Sequence, residues 1–255
     1  ESFDCPILPM RYESAELAKI AINMCLVASV TTANTLAEIC EHIGADWSEI
    51  VPALLLDKRI GHHAYLKPGL GIAGGNLERD LATVLSYAEK HQTDGGVVSA
   101  WVDNSKHRKN WPWETLNELV LTKIKQPKIA ILGLTYKENT HSIKNSPSIA
   151  LLNKIQGHSI AAFDPAAEMD VVGQDIVRTE YAIDATEQAD VLLVMTPWPE
   201  FHNLTAANLV KSIIICQIFI SIVSIYFFYK INLFFFSKKM SLFSTCFFSF
   251  FPINI

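Results

Sequence analysis

KIAILGL at residues 128–134, SIAAF at 159–163 and DVLLVMT at 190–196 are three short apolar runs, each closed by a turn residue. Runs of this kind are typical of buried strands. Helical patterns lie between them, at about 147–155 and 183–188. Strand, helix, strand, helix, strand is the order of a doubly wound parallel sheet, so we predict a small Rossmann-like α/β domain.

The residues before this sheet predict a long helix. Apolar side chains recur at spacings of three and four from Ser14 onward, with Ser14 as the expected N-cap and Gly44 as the expected stop. Such a helix has about thirty residues and a length of roughly 45 Å. That is longer than a small domain covers, so we expect the helix to bury part of its surface against a partner such as a symmetry mate.

Shorter helices should follow the long one. Asp46 is the expected cap of a helix that runs to about Leu56. Further helices are predicted over about 77–91 and 96–121, and Pro112 must bend or break the second of these.

The chain therefore divides into four segments of a mixed α and α/β fold. We predict an irregular lead-in (1–12), a helical domain (13–125), a truncated α/β domain (126–210) and an apolar tail (211–255). The net charge of −5 argues against a nucleic-acid partner. The five cysteines include no Cys-x-x-Cys pair, and the adjacent His62 and His63 are unsuited to one ion, so no metal site is expected.

The tail differs in composition from the rest of the chain. It contains no Ala, Gly, Asp or Glu, and it holds eleven of the fourteen Phe residues. Residues 213–229 form an apolar run of 17, which is the lower limit for a membrane span. Two interpretations stay open, a C-terminal membrane anchor and translated non-coding sequence. We expect a cytoplasmic protein, with membrane attachment only through 213–229.

Residues 67–81, KPGLGIAGGNLERDL, carry a specific resemblance. They resemble the active-site loop of the UDP-glucose/GDP-mannose dehydrogenase family, which reads Pro-Gly-x-Gly-aromatic-Gly-Gly-Ser-Cys-x-x-Lys-Asp. Asn76 stands where that family has its catalytic cysteine. Three other stretches resemble family motifs in the same order, namely SAELAKIAINMCL (14–26), DKRIG (57–61) and GLTYKENTHSIKNSP (133–147).

The resemblance implies a three-domain plan in which a first Rossmann domain binds NAD, a helical domain dimerises, and an α/β domain binds the nucleotide of the sugar. No Gly-x-Gly-x-x-Gly follows a predicted strand in this sequence, so we expect the NAD-binding Rossmann domain to be absent. The implied reaction is NAD-dependent oxidation of a primary alcohol on a UDP-sugar or GDP-sugar to the acid, and we favour the UDP-sugar.

The resemblance also implies residue roles. The catalytic group is Lys19, Asn23, Asn76 and Asp80, with Lys19 stabilising an oxyanion, Asn23 positioning water or a hydroxyl, and Asp80 helping to bind the water. Asn76 has no nucleophile, so the covalent step is lost. Asn76 is then either a helix cap or a group that orients substrate in an altered, non-covalent reaction.

Residues near the glycine loop and after the first strand of the α/β domain are implied to bind ligands. Lys144 replaces an arginine near the cofactor and keeps its charge without the bidentate fork. Asp164, which ends a strand, is expected to be a structural turn residue. The candidates for substrate binding are Arg59, Tyr65, Lys67, Gly69, Gly71 and Lys137.

We therefore predict a partial nucleotide-sugar dehydrogenase that is inactive alone. Two alternatives remain. The long helix could form a homodimer or a heterodimer and make the chain a non-catalytic partner of a full-length dehydrogenase, or the tail could tether a nucleotide-sugar-binding module to a membrane.

Overall fold

A computed structural model describes residues 5–167, 176–204 and 209, together with the backbone of 219–221. The helices are α1 (Tyr12–Ile43), α2 (Trp47–Leu56), α3 (Asn76–His91), α4 (Gly96–Leu116), α5 (Pro147–Lys154) and α6 (Ala182–Ala185). A π-helical turn (Asn117–Leu121) and a 3-10 turn (Pro199–Asn203) complete the helical elements of this part of the chain. The strands are β1 (Lys128–Leu132), β2 (Ser159–Phe163), β3 (Ile176–Arg178), β4 (Val191–Val194) and β5 (Phe219–Ser221).

The strands form one parallel sheet in the order β3-β2-β1-β4-β5. Lys128 is opposite Ser159, and Ile129 is opposite Val191, so the three predicted strands pair as a doubly wound sheet. β3 is an edge strand that the sequence did not predict, because it has three residues and two of them are exposed. β5 extends the sheet into the segment that the sequence assigned to the tail.

Apolar side chains cover both faces of the sheet. Ile129 and Ile131 of β1 pack on one face with residues of α5 and the end of α4. Ala130 and Leu132 pack on the other face with α6 and the 3-10 turn. This alternation explains why β1 and β4 are continuously apolar, as central strands of parallel sheets are.

The helical domain packs α1 against α3 and α4. Val27 of α1 meets Leu81 of α3 and Val98 of α4 in one apolar cluster. The predicted stop of α1 is confirmed, since Gly44 has a left-handed φ of 74°. The predicted start is wrong, because Arg11 is the N-cap and its side chain makes no capping bond.

Two further helix predictions have different outcomes. The Asp46 side chain accepts a hydrogen bond from the N–H of Ser48, which confirms the predicted cap of α2. Pro112 does not break α4, which continues to Leu116 before the π-helical turn begins. Pro112 and Leu116 are both buried. Packing against the α/β core therefore stabilises the helix, although Pro112 has no backbone N–H to donate.

Asp164 follows β2 and organises the carboxyl end of the sheet. One carboxylate oxygen accepts the backbone N–H groups of Leu134 (2.6 Å) and Thr135 (3.0 Å) and the indole N–H of Trp198 (3.2 Å). The other accepts the N–H groups of Ala166 and Ala167, both at 2.8 Å. Asp164 is therefore a structural turn residue, as the sequence predicted.

The same contacts set the protonation of this carboxyl. Burial alone raises the pKa of Asp164, but the four backbone N–H donors outweigh burial and hold the pKa below its usual value. Because the folded-state pKa lies below the unfolded-state pKa of about 3.9, the ionised Asp164 stabilises the fold at pH values above the unfolded-state pKa. That contribution is lost as the pH falls through the folded-state value.

We expect Asp164→Asn to lower the free energy of unfolding at neutral pH by on the order of 3 kcal/mol, because an amide cannot accept all of these donors. Urea denaturation at neutral pH and below pH about 3.9 measures the difference, which should shrink in acid as the wild-type carboxylate is protonated. Asp184→Asn, at an exposed position of α6, is the matched control. An equal loss in both variants, or a loss independent of pH, would contradict this role.

Candidate functional site

The glycine loop, residues 68–75, lies between the two domains and is anchored in both. Leu70 belongs to the apolar cluster of the α/β domain, next to residues of β1 and α5. Ile72, two residues later, belongs to the cluster of α1, α3 and α4. Both side chains are at least nine-tenths buried, so the loop is held by two separate cores.

Two glycines of this loop are required by close contacts. Gly71 has φ 80°, and a Cβ atom there would lie 2.5 Å from the Ser105 carbonyl oxygen. Gly74 has φ 82°, and a Cβ atom there would lie 2.9 Å from the ring of Tyr136 in the β1–α5 loop. Any side chain at either position would be strained. At Gly71 it would clash with α4, and at Gly74 it would clash with the α/β domain. Gly69, the other predicted substrate-binding glycine, has open space around its α-carbon.

Polar side chains of α1 and α4 hold the loop backbone. Asn34 accepts the N–H of Gly69 at 2.7 Å, and Ser105 accepts the N–H of Ile72 at 2.8 Å. The buried Arg108 donates to the Gly69 carbonyl at 3.3 Å and pairs with Glu38. The sequence did not predict these four contacts. The available signal is a polar residue at a buried helical position, which is unusual unless it has a partner.

Asn76 is the first residue of α3 and is exposed. The N-cap is Gly75, and no side-chain capping bond is made. The predicted cap role of Asn76 is therefore wrong, because the helix begins one residue earlier than that role requires and the Asn76 backbone is already helical.

Three of the predicted catalytic residues form a continuous polar chain. The Lys19 ammonium donates to the Asn23 amide oxygen at 3.3 Å, and the Asn23 amide nitrogen donates to Asp80 at 2.5 Å. Arg79 closes the chain with two N–H donors, at 2.9 and 2.8 Å, to the other Asp80 oxygen. The spacing-based expectation that Lys19 and Asn23 share a helix face is confirmed.

Asp80 is an ionised carboxylate within this chain. Its side chain is 4% exposed, whereas that of Arg79 is 64% exposed. Burial alone raises the pKa of Asp80, but the hydrogen bonds from Arg79 and Asn23 and the nearby positive charges outweigh it, so the pKa lies below the usual value. The cluster thus presents one buried negative charge with positive groups on both sides.

The α/β domain places two of the predicted lysines beside this region. A Cβ atom on Gly75 would lie 3.2 Å from the Lys144 ammonium nitrogen, so Lys144 lies against the start of α3. Lys137 is exposed, with its ammonium nitrogen 5.7 Å from the ring centre of Tyr136. Both belong to the β1–α5 loop that packs on the glycine loop.

Other predicted substrate residues are not joined to this cluster. The Arg59 side chain is 90% exposed and pairs at 2.7 Å with Asp57 of its own loop. Tyr65 and Lys67 are exposed on the segment leading to the glycine loop. No group of three His, Cys, Asp or Glu side chains in the described part of the chain is arranged to hold a metal ion.

The α/β domain does not fit a dinucleotide at its first strand–helix junction. A pyrophosphate needs a glycine turn that is open between strand and helix. Gly133 instead packs on the end of β4, where a Cβ atom would lie 2.6 Å from the Thr196 backbone nitrogen. Leu134 and Thr135 are buried, and α5 begins only at Pro147, so we assign no step to NAD in this domain.

Known proteins resemble the chain in sequence. It matches the central domain of the UDP-glucose/GDP-mannose dehydrogenase family over residues 13–106 and that family's UDP binding domain over residues 130–225. It is 31% identical over 210 residues to the UDP-glucose 6-dehydrogenase TuaD of Bacillus subtilis, covering 80% of this chain and 45% of that protein. It is 30% identical over 211 residues to the UDP-glucose 6-dehydrogenase of Rickettsia conorii, covering 79% of this chain and 49% of that one.

Solved structures agree in fold. A UDP-glucose dehydrogenase from the archaeon Pyrobaculum islandicum superposes with a TM-score of 0.76 at 22% identity, covering 87% of this chain and 54% of that one. A UDP-D-ManNAc dehydrogenase from Pyrococcus horikoshii gives 0.69 at 23% identity, covering 83% and 49%. The chain spans about half the length of the curated relatives that it matches. It belongs to the UDP-glucose/GDP-mannose dehydrogenase family and contains the family's central and UDP-binding domains.

Proposed function

We propose that this chain binds a nucleotide sugar, preferably a UDP-sugar, between its two domains. The observation that carries the proposal is the chain Lys19–Asn23–Asp80, which lies beside a glycine loop anchored in both domains. The UDP-binding domain would hold the nucleotide, and the glycine loop would bring the sugar to the helical domain.

The positions of the side chains suit a nucleotide on the α/β domain and a sugar on the helical domain. Lys137 is an exposed cation on the α/β domain, suited to a phosphate oxygen. Lys19 offers an exposed ammonium to a sugar hydroxyl, and the buried Asn23 amide holds that ammonium in place. Gly69 and Gly71 provide backbone without bulk, and Lys67 and Tyr65 precede them on an exposed segment. Arg59 is exposed and pairs with Asp57 of its own loop, so we propose that it reaches a ligand held by a second subunit.

For the whole protein we propose the family reaction, NAD-dependent oxidation of the primary alcohol of a UDP-sugar. For the 255-residue chain by itself we propose binding without dehydrogenation. Asn76 offers no thiol to hold an aldehyde for a second oxidation, and both oxygens of Asp80 already accept hydrogen bonds from Arg79 and Asn23. Lys144 remains our prediction for the cofactor-facing residue of the whole protein.

An alternative in a different class is a dimerising partner of a full-length dehydrogenase. It is favoured by a stripe of residues on α1 that is exposed except at the half-buried Ser29. The residues of the stripe follow one another at alternating spacings of three and four, the pattern of a helix–helix interface. Four apolar residues of this stripe are 41–70% exposed. The stripe consists of Ile22, Cys25, Ser29, Thr32, Leu36, Ile39 and Ile43.

α1 is also long and apolar enough to cross a membrane by length and composition. Core helices meet the same criterion, and α1 buries Asn23 and Asn34 in contacts to α3 and the glycine loop. The predicted anchor at 213–229 lies outside the described residues, apart from the backbone of 219–221. The cytoplasmic location remains a prediction.

Calorimetric titration with UDP and UDP-glucose tests the proposed function. We expect the wild-type chain to bind both and to produce no NADH when NAD is added. Lys19→Met should weaken UDP-glucose binding about tenfold by removing a charge-assisted hydrogen bond, and should leave UDP binding unchanged. Lys90→Met, an exposed lysine of α3, is the control. If the wild-type chain binds neither ligand, the proposed nucleotide-sugar binding is overturned. If the chain forms NADH, the proposed absence of dehydrogenation is overturned.

Restoring a thiol tests the role of position 76. In Asn76→Cys the thiol lies at the N-terminus of α3, and the preceding residue, Gly75, faces the Lys144 ammonium. The helix dipole and this positive charge should lower the thiol pKa below the usual value of about 8.5. Alkylation by iodoacetamide as a function of pH, followed by peptide mapping, reports that pKa. Ser86→Cys, exposed in the middle of α3, should titrate normally. Identical profiles for the two thiols would refute the electrostatic argument.

Sedimentation equilibrium tests the α1 stripe. We expect a homodimer of the wild-type chain and a monomer of Ile39→Glu, because a buried unpaired carboxylate opposes association. Val97→Glu changes an equally exposed apolar residue of α4 outside the stripe and should remain dimeric. A monomeric wild-type chain that co-purifies with an intact dehydrogenase would instead favour the partner alternative.

A further inference from the structure

The β1–α5 loop, residues 133–146, ends in a contact with the glycine loop. The Asn145 side-chain amide donates to the Gly74 carbonyl at 2.9 Å and to the Glu78 carboxylate. The adjoining peptide completes the contact, since the Gly74 N–H donates to the Lys144 carbonyl at 3.2 Å. Both polar backbone groups of Gly74 are therefore paired with residues of the α/β domain.

Glu78 connects this contact to a third element. It lies in the first turn of α3, two residues after Asn76, where a carboxylate is favoured by the helix dipole. One of its oxygens faces Asn145, and the other accepts from the Lys109 ammonium of α4 at 2.5 Å. A single carboxylate thus links α3, α4 and the β1–α5 loop.

Asn145 is suited to this place in two respects. Its backbone is left-handed, with φ 54°, a conformation that asparagine tolerates better than most residues. Its amide group supplies two N–H donors, which matches the two acceptors it faces.

We propose that Asn145 is a positioning residue that fixes the start of α3, and with it residue 76, against the α/β domain through Gly74 and Glu78. The inference rests on the proposed function, because a nucleotide sugar that spans both domains needs the two halves of its site at a fixed separation. Without the amide, Gly74 loses a donor and Glu78 keeps only Lys109. Neither apolar core is altered.

Matched glycine substitutions isolate the side chain from the backbone. Asn145→Gly removes the amide and retains a residue that adopts positive φ without strain. Asn139→Gly makes the same change at another left-handed asparagine of the β1–α5 loop, with φ 59° and an exposed side chain. A difference between the variants therefore reports the Asn145 contacts and not the flexibility of glycine.

Hydrogen exchange of the Gly74 amide, followed by NMR, tests the contact without ligand. We expect exchange about tenfold faster in Asn145→Gly than in the wild type. Without the Asn145 amide the Gly74 carbonyl is no longer held, so the neighbouring bond from the Gly74 N–H to the Lys144 carbonyl opens more often. Asn139→Gly should leave the rate unchanged. An unchanged rate in Asn145→Gly, or an equal acceleration in both variants, would overturn the proposal whether or not the chain binds a nucleotide sugar.

Calorimetry then separates positioning from a merely structural role. Asn145→Gly should weaken UDP-glucose binding about tenfold while leaving UDP, held by the α/β domain alone, within about twofold. A general loss of structure would weaken both ligands together, and that result would overturn the positioning role. If the wild-type chain binds neither ligand, the proposed function fails and the Gly74 exchange rates decide the proposal.

Discussion

The anchoring of the glycine loop in two cores is the constraint on which the rest of the structure depends. Leu70 packs with the sheet of the α/β domain, and Ile72 packs with the helical domain. Two side chains with one residue between them thus join the two domains, and the end of α4 adds a second connection because Leu116 packs in the α/β core. Glycine is needed at positions 71 and 74 of this loop, because each lies against a neighbour that would exclude a Cβ atom. The position of α3 follows from this path.

Hydrogen bonds to a buried carboxylate between α1 and α3 add to this apolar anchoring of the glycine loop. Asp80 is buried on α3, and its pKa is lowered although burial alone raises it, because Arg79 and Asn23 donate to both oxygens. Lys19 extends the chain toward the surface of α1. A buried carboxylate with this many donors is costly to disturb, so the contact also specifies how α1 and α3 face each other. The same four side chains therefore join α1 to α3 at the place where we propose that the sugar binds.

Local patterns predicted most of the fold. The branched runs of β1, β2 and β4 and the period of α1 are signals within one element, and the structure has those elements. The edge strand β3 carried no such signal, because it is three residues long and mostly exposed. Pro112 was predicted to bend or break α4; it does not break the helix, because it is buried and packing outweighs the local preference.

The candidate site was predicted where spacing or the family motif supplied it, as for Lys19, Asn23 and Asp80. Contacts between distant residues could not be predicted in this way. Arg108 with Glu38, and Glu78 with Asn145, are separated by about seventy residues along the chain and follow no period. Only the fold brings them together. The assignment of Asn76 as a cap failed by one residue, which is the usual uncertainty of a helix boundary.

The exposure of Asn76 has a consequence for how such a site can evolve. The loop before it is held through backbone groups and glycines, and the helix after it is held through Glu78 and Asp80. The exposed Asn76 side chain takes part in none of these contacts, so a substitution there should leave the fold intact. Under the proposed function, a single codon change there would remove or restore the nucleophile in a protein that still folds, so the family scaffold would not need to pass through an unstable intermediate.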